Sequence, residues 1–141
     1  MTDKSIDPLR MDMTESEAGN YAPLALAFIG DAVFELAVRT KIMKEGHARP
    51  NDMNRRKNEL VKAPAQSFML SAVDPILTEQ ERNICRRGRN AKSFTMAKNA
   101  TVAEYRRATA FEALLGYLYL QGRLERMQEI IDCGIAACER R

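Results

Sequence analysis

Two apolar stretches that each contain isolated acidic residues constrain the fold of this chain more than any other feature. Ala22–Val38 is apolar nearly all round, which is typical of a helix buried on most sides, and only Asp31 and Glu35 interrupt it with charge. In Ala108–Leu120 the only charged residue is Glu112. Because a carboxylate is almost never buried without a partner, these acids need a counter-charge.

Each stretch also contains a glycine, Gly30 in the first and Gly116 in the second. A glycine inside a helix costs about 1 kcal/mol relative to alanine, and it usually permits the close approach of another backbone or a ligand. If the two helices cross at these glycines, Asp31 and Glu112 converge, and hard divalent cations such as Mg²⁺ are the natural counter-charge. Alternatively, each acid pairs with a nearby arginine, such as Arg39 or Arg106, and is purely structural.

Length, composition and cysteine content exclude several classes of protein. The chain has 141 residues, which is the usual length of one domain, and 45% hydrophobic with 29% charged residues is typical of a soluble globular protein. No apolar run is long enough to span a membrane, and residues 1–19 lack the apolar core of a signal peptide. Three cysteines without a C-x-x-C pair and a single histidine argue against a disulfide framework and a zinc site. We therefore expect a cytoplasmic protein without a membrane partner.

The charge is distributed unevenly along the chain, although the net charge is only +3. The segment from Arg82 to Ala103 contains six basic residues and no acid, whereas residues 1–19 are net acidic. A basic block in an otherwise neutral domain favours a polyanionic partner, most often nucleic acid. The alternative is a solvated helical face.

No segment shows the sustained alternation of a β-strand, so we predict an all-α helical bundle in which residues 1–20 are a flexible lead-in and residues 21–141 form the domain. A loop is expected over Arg89–Ala100. The predicted helices run from Pro23 to about Lys44, from Asn51 or Asp52 to Val73 with a bend near Pro64, from the capping box at Thr78 to about Gly88, from the capping box at Thr101 to about Leu120, and over Arg123–Glu139.

Two motifs resemble a known family. Ala27–Val33 (AFIGDAV), followed by Glu35-Leu36, resembles the signature helix of the ribonuclease III family, and Phe111–Leu120 (FEALLGYLYL) resembles that family's second acidic helix. The motifs occur in the family's order, and the resemblance covers residues 21–140.

The departures from the family pattern point to a subfamily. Leu24 and Ala27 stand where ribonuclease III has two further glutamates, and Thr109 stands where it has an acid. We expect no double-stranded-RNA-binding domain after this one. This reduced pattern resembles the Mini-III ribonucleases, as do Lys98–Leu120 and Ala48–Asn54.

The resemblance implies an all-helical homodimer that is an Mg²⁺-dependent endoribonuclease, with Mn²⁺ as a possible substitute. Double-stranded RNA would bind in a valley between subunits, and each subunit's site would cut one strand and leave a short 3′ overhang. The implied substrate is the precursor of large-subunit ribosomal RNA, and Asp31 and Glu112 are the implied catalytic metal ligands. Two other interpretations remain open: a non-catalytic double-stranded-RNA-binding homodimer that keeps the fold, and a structural helical protein whose acids are salt-bridged.

Short basic and amide side chains suit the shallow minor groove of A-form RNA. Eight of them are candidate RNA-binding residues, with solvated surface residues as the alternative: Arg49, Asn54, Lys57, Arg89, Asn90, Lys92, Lys98 and Asn99.

Three further residues keep open alternatives. Glu35 either contacts the metal through water or pairs with an arginine, and Thr109 bonds either a metal-bound water or its own helix. One of Arg106 and Arg107 orients a carboxylate while the other faces solvent. His47 is expected to be a loop residue, with RNA contact as the alternative.

Overall fold

The computed structural model describes residues 11–46, 49–92 and 100–141, and every regular element in these ranges is helical. The all-α prediction is therefore confirmed. Within these ranges no helix is long and apolar enough to cross a membrane. The helices are α1 (Glu15–Gly19), α2 (Pro23–Lys44), α3 (Pro50–Val61), α4 (Ala63–Val73), α5 (Glu79–Asn90), α6 (Val102–Leu120) and α7 (Leu124–Arg140), with a 3₁₀ turn at Asp74–Ile76 after α4.

Helix α6 is the centre of the bundle. It packs against α2, α4 and α5, while α7 covers α4. Its residues 108–118 are buried except Glu112, which is half-buried, so the apolar sequence of this segment is explained by neighbours on most sides. Phe34 of α2 and Phe111 of α6 meet edge to face, with ring centroids 5.5 Å apart, and tie the two helices together at the core.

The helix ends follow the local signals in most places. Thr78 and Thr101 form the expected capping boxes, in which each threonine hydroxyl accepts from the backbone N–H of the glutamate three residues later. The single bent helix expected over 51–73 is wrong, because the chain breaks into α3 and α4 at Lys62. In a continuous helix the ring of Pro64 would clash with the carbonyl of Leu60, so a new helix begins with this proline in its first turn.

The described part of the N-terminal lead-in contains structure that the sequence analysis did not predict. Thr14 and Glu17 form a third capping box, which starts α1, and Ala18 is fully buried. The backbone N–H of Met13 donates to the carbonyl of Leu120 at 2.9 Å. Residues 11–20 therefore cover one end of α6.

A buried ion pair joins α5 to α7. Glu81 is 1% exposed, and Arg126 donates to its two carboxylate oxygens at 2.9 and 2.7 Å. Burial opposes ionisation of Glu81, but the hydrogen bonds from Arg126 and the Thr78 backbone outweigh it and lower the pKa of this carboxyl. Glu81 is thus a structural acid with a complete set of partners.

Candidate active site

Helices α2 and α6 cross at the two predicted glycines. A Cβ atom on Gly30 would lie 1.7 Å from the carbonyl oxygen of Glu112, and a Cβ atom on Gly116 would lie 2.0 Å from the carbonyl oxygen of Leu26. Both distances are far below van der Waals contact, so the two backbones touch directly and neither position tolerates a side chain. The close crossing that the sequence predicted is confirmed.

This crossing brings the carboxyl groups of Asp31 and Glu112 together. The pKa of Glu112 is raised to about 8, first by burial and then by the hydrogen bond and the negative charge of Asp31. Asp31 lies on the exposed side of the pair, and Glu112 is half-buried behind it. At neutral pH and without a cation, Glu112 therefore mostly retains a proton, which it donates to Asp31. Such a pair of facing acids with a strongly perturbed pKa is typical of a functional site.

Gln66 of α4 completes the inner side of this site, and the sequence analysis did not identify it. Its side chain is 3% exposed, and its Nε2 donates to the carbonyl of Val61 at 2.9 Å and to Oε2 of Glu112 at 3.4 Å. The bond to Val61 fixes which end of the amide faces the carboxyl. Its Oε1 is buried without a hydrogen-bond partner among the described residues, which is costly and usually marks a functional constraint or an absent ligand.

The other residues near the acid pair have structural partners. Arg39 donates to Glu35 at 2.8 Å, and Nζ of Lys57 lies 3.3 Å from the same oxygen. Burial alone would raise the pKa of Glu35, but these two cations lower it overall. The hydroxyl of Thr109 donates to the carbonyl of Tyr105 at 3.0 Å, so it bonds back to its own helix. For both residues the structure supports the structural alternative.

Neither Arg106 nor Arg107 contacts the acid pair. Arg106 is exposed, and Arg107 donates to the side chain and backbone of Ser67 and to the hydroxyl of Ser71, which lie on α4. The expectation that one of these arginines orients a carboxylate is not met within the described residues. Instead, the amide of Gln66 occupies the position beside Glu112.

The donor set fits a divalent metal ion of the hard, oxygen-binding kind. Within the described ranges no group of three or more His, Cys, Asp or Glu side chains could hold a metal, so the two carboxylates are the charged ligands available. Because Glu112 mostly retains its proton at neutral pH when no cation is bound, a divalent cation held by both carboxylates would replace this proton and balance their negative charge. Water or phosphate oxygens would have to complete the coordination shell.

The candidate RNA-binding residues that the structure describes lie on α3 and at the end of α5. Arg49 and Asn54 are exposed at and near the start of α3, and Lys57 of the same helix pairs with Glu35. Of the second group, Arg89 and Asn90 end α5 and Lys92 follows it, all three exposed. Lys98 and Asn99, like His47, lie outside the described residues.

Comparisons with known proteins agree with the family resemblance of the two acidic helices. The family model described as the Ribonuclease III domain matches residues 24–123. A protein from Brevibacillus brevis named Mini-ribonuclease 3 is 48% identical over 117 residues, which cover 83% of this chain and 87% of the relative. A Symbiobacterium thermophilum protein of the same name is 46% identical, covering 84% of this chain and 91% of the relative. A crystal structure of a Fusobacterium nucleatum protein is similar with a TM-score of 0.74 and 35% identity, over 83% of this chain and 93% of that one.

Proposed function

Since the chain belongs to the ribonuclease III family, in its Mini-ribonuclease 3 branch, we propose that this endoribonuclease cleaves double-stranded RNA with Mg²⁺, and that its substrate is the precursor of large-subunit ribosomal RNA. The observation that carries the proposal is the convergence of Asp31 and Glu112 at the crossing of α2 and α6. Of the acids in the two motifs, these two face each other, whereas Glu35 is neutralised by basic side chains.

Asp31 and Glu112 would hold the Mg²⁺ ion in this proposal, with Mn²⁺ as a substitute. A bound Mg²⁺ supplies positive charge at the attacking and leaving oxygens of the phosphodiester and promotes ionisation of the attacking water. The chain's own contribution is to hold the two carboxylates at a fixed separation, because both lie on helices whose backbones are in contact. The exposed position of Asp31 leaves the outer side open to a phosphodiester and to water, while Gln66 restrains Glu112 from the inner side.

A second copy of the chain is the proposed partner besides RNA. Phe28, Leu36 and Met43 of α2 are 72%, 64% and 65% exposed, and their spacing of eight and seven residues keeps them on one side of the helix. Beside this face, a groove of about 790 Å³ between α2 and α7 is lined by apolar side chains that include Leu124 and Ile135. An apolar face of this kind next to an apolar groove supports a symmetric homodimer in which each copy covers the other. We place the dimer in the cytoplasm, where the three free cysteines would remain reduced.

The experiment that tests the activity is cleavage of a long double-stranded RNA in the presence of Mg²⁺. We expect cutting by the wild type that is lost in EDTA, in Asp31→Asn and in Glu112→Gln, and no cutting of duplex DNA. Glu79→Gln, which removes an exposed acid from the first turn of α5, is the matched control and should cut normally. Binding of the RNA without cutting under every condition would refute the nuclease and leave the non-catalytic RNA-binding homodimer.

The substrate is tested separately with a transcript of the ribosomal RNA precursor. We expect cuts at defined positions in this transcript at lower enzyme concentration than for an unrelated duplex of the same length. Equal cleavage of both would contradict the proposed substrate and leave the endonuclease activity intact.

A further inference from the structure

The break between α3 and α4 explains the orientation of the buried Gln66 amide. In a continuous helix the carbonyl of Val61 would accept from the backbone N–H of Ala65, four residues later. The backbone leaves helical geometry at Lys62, where φ is −65° and ψ is 153°, so this carbonyl is deprived of that donor. Nε2 of Gln66 donates to it at 2.9 Å instead, and the nitrogen end of the amide is thereby fixed at Val61.

The same nitrogen faces the acid pair. Nε2 of Gln66 also donates to Oε2 of Glu112, at 3.4 Å, which is at the long end for a hydrogen bond of this kind. A bond from an N–H group to an ionised carboxylate is shorter and roughly twice as strong. The amide therefore holds Glu112 more firmly once a cation has displaced the proton of this carboxyl.

Gln66 restrains a carboxylate without neutralising it, in contrast to the arginine that pairs with Glu81. Arg126 donates to both carboxylate oxygens of Glu81 and balances its charge, so Glu81 needs no cation. The amide of Gln66 is neutral, and it contacts one oxygen of Glu112. The negative charge and the second oxygen of Glu112 therefore remain for a cation.

Stability alone does not explain an amide at this position. Gln66 is 3% exposed, and its Oε1 has no hydrogen-bond partner among the described residues, which opposes folding. Its neighbours on α4 include the buried apolar residues Ala65 and Met69, so an apolar side chain would suit these surroundings. A buried amide that is only half satisfied usually marks a functional constraint.

The identity of the cation determines how much the restraint on Glu112 matters. Mg²⁺ requires near-ideal octahedral geometry, with oxygen ligands at about 2.0–2.1 Å, whereas Ca²⁺ accepts irregular arrangements at about 2.3–2.6 Å. A glutamate that rotates freely can still reach Ca²⁺, but it meets the stricter geometry of Mg²⁺ for a smaller fraction of the time. A restrained carboxylate therefore favours the smaller ion.

We propose that Gln66, oriented by the carbonyl of Val61 at the break between α3 and α4, is a positioning residue that makes the acid pair selective for Mg²⁺ over Ca²⁺. It acts through Glu112 and does not itself bind the ion. The proposal rests on the proposed function, because it requires that Asp31 and Glu112 hold the metal.

The test is metal competition on the protein without RNA. Bound Mn²⁺ is measured by electron paramagnetic resonance and displaced with Mg²⁺ or with Ca²⁺, in the wild type and in Gln66→Met, whose side chain has a similar length but no N–H group. Loss of an outer partner of a metal ligand weakens metal binding by about 10- to 100-fold. We expect Gln66→Met to bind Mg²⁺ about 10-fold more weakly and Ca²⁺ no more than about 2-fold more weakly, so the ratio of the two affinities falls about 5-fold or more.

Gln80→Met is the matched control, because Gln80 also donates its amide to a residue of α6, the hydroxyl of Tyr117, at 3.2 Å. This variant should keep the wild-type affinities for both ions. An unchanged affinity ratio in Gln66→Met, while the wild type binds Mn²⁺, would overturn the role of Gln66 and leave the metal site intact. A wild type that binds no Mn²⁺ would refute the metal site of the proposed function itself.

Two further measurements separate positioning from a structural role. Urea unfolding in EDTA reports the stability of each variant, and a lower midpoint for Gln66→Met together with equal weakening of both ions would show that Gln66 is merely structural. Gln66→Asn keeps the amide but is one methylene shorter, so it cannot bond to Val61 and Glu112 together. Its affinity ratio should also fall, and a wild-type ratio in this variant would overturn the orienting role of the Val61 carbonyl.

Discussion

Replacement of Glu112 by glutamine tests the central feature of the site without any assay of activity. In the metal-free protein, burial raises the pKa of this carboxyl to about 8, against an ordinary value of 4.5. Because the folded-state pKa is the higher one, this carboxyl's full contribution to stability is present below about pH 4.5 and is lost as the pH rises through about 8. At about 1.36 kcal/mol per pKa unit, the shift from 4.5 to about 8 corresponds to a loss of at most about 5 kcal/mol in the free energy of unfolding. Relaxation of the site reduces this loss to roughly 2–4 kcal/mol.

Glutamine imitates the protonated carboxyl and does not titrate, so Glu112→Gln should remove this loss. The assay is urea unfolding in EDTA at pH 5, 7 and 9. We expect the variant to match the wild type at low pH and to be more stable by roughly 2–4 kcal/mol at pH 9. Addition of Mg²⁺ or Mn²⁺ at pH 9 should stabilise the wild type and not the variant.

The matched control is the same substitution at Glu81, which is 1% exposed. Burial opposes ionisation of Glu81, but Arg126 lowers the pKa of this carboxyl overall, so the sign reverses. Glu81→Gln should destabilise the protein at neutral pH by roughly 3 kcal/mol, and the difference should shrink as the pH falls below the ordinary pKa of 4.5 and through the lowered one. If the stability curves of wild type and Glu112→Gln ran parallel from pH 5 to 9, the argument for a strained acid pair would be refuted.

Three further predictions concern the positions around this pair. Gly30→Ala should lower the free energy of unfolding by about 2 kcal/mol or more and the cleavage rate by at least about 100-fold, because a Cβ atom 1.7 Å from a carbonyl oxygen forces the helices apart. The control is Gly19→Ala, where the atom nearest to the added Cβ is 3.8 Å away, and this variant should unfold at the wild-type urea concentration or slightly above it. Gln66→Leu should weaken Mn²⁺ binding to the metal-free protein by about 10-fold in calorimetry, since it removes the donor that restrains Glu112; unchanged affinity would exclude this role. If the proposed homodimer forms through this face, Phe28→Glu should give a monomer in light scattering, and a dimer of unaltered mass would show that this face is not the interface.

The sequence was sufficient for the elements whose signals are local. Capping boxes at Thr78 and Thr101 marked the starts of α5 and α6 correctly, because a threonine and a glutamate three residues apart satisfy the first amide groups wherever the helix lies. The crossing at Gly30 and Gly116 was also predictable, since a glycine within an apolar helix has few explanations other than a close approach.

The features that the sequence did not predict depend on contacts between distant segments. Gln66 is uncharged and lies on an ordinary apolar helix, so only its position 46 residues before Glu112, across the bundle, gives it a role. Glu81 looked like a capping residue, and its pairing with Arg126, 45 residues later, could not be read from either segment alone. The sequence could not distinguish a break at Lys62 from a bend, because a proline two residues later can either bend or end a helix.

Four acids of this bundle, Asp31, Glu35, Glu81 and Glu112, show how a structural carboxylate is distinguished from a functional one. Glu35 and Glu81 both face arginine, and in both cases basic partners outweigh burial and lower the pKa. Glu112 is buried too, but its nearest charged neighbour is Asp31, and its pKa moves in the opposite direction. A fold selected only for stability would resolve that conflict with a basic or apolar side chain. The bundle instead keeps two facing acids at a crossing that excludes any side chain on the adjacent glycines, and a divalent cation is the simplest partner that makes this arrangement favourable.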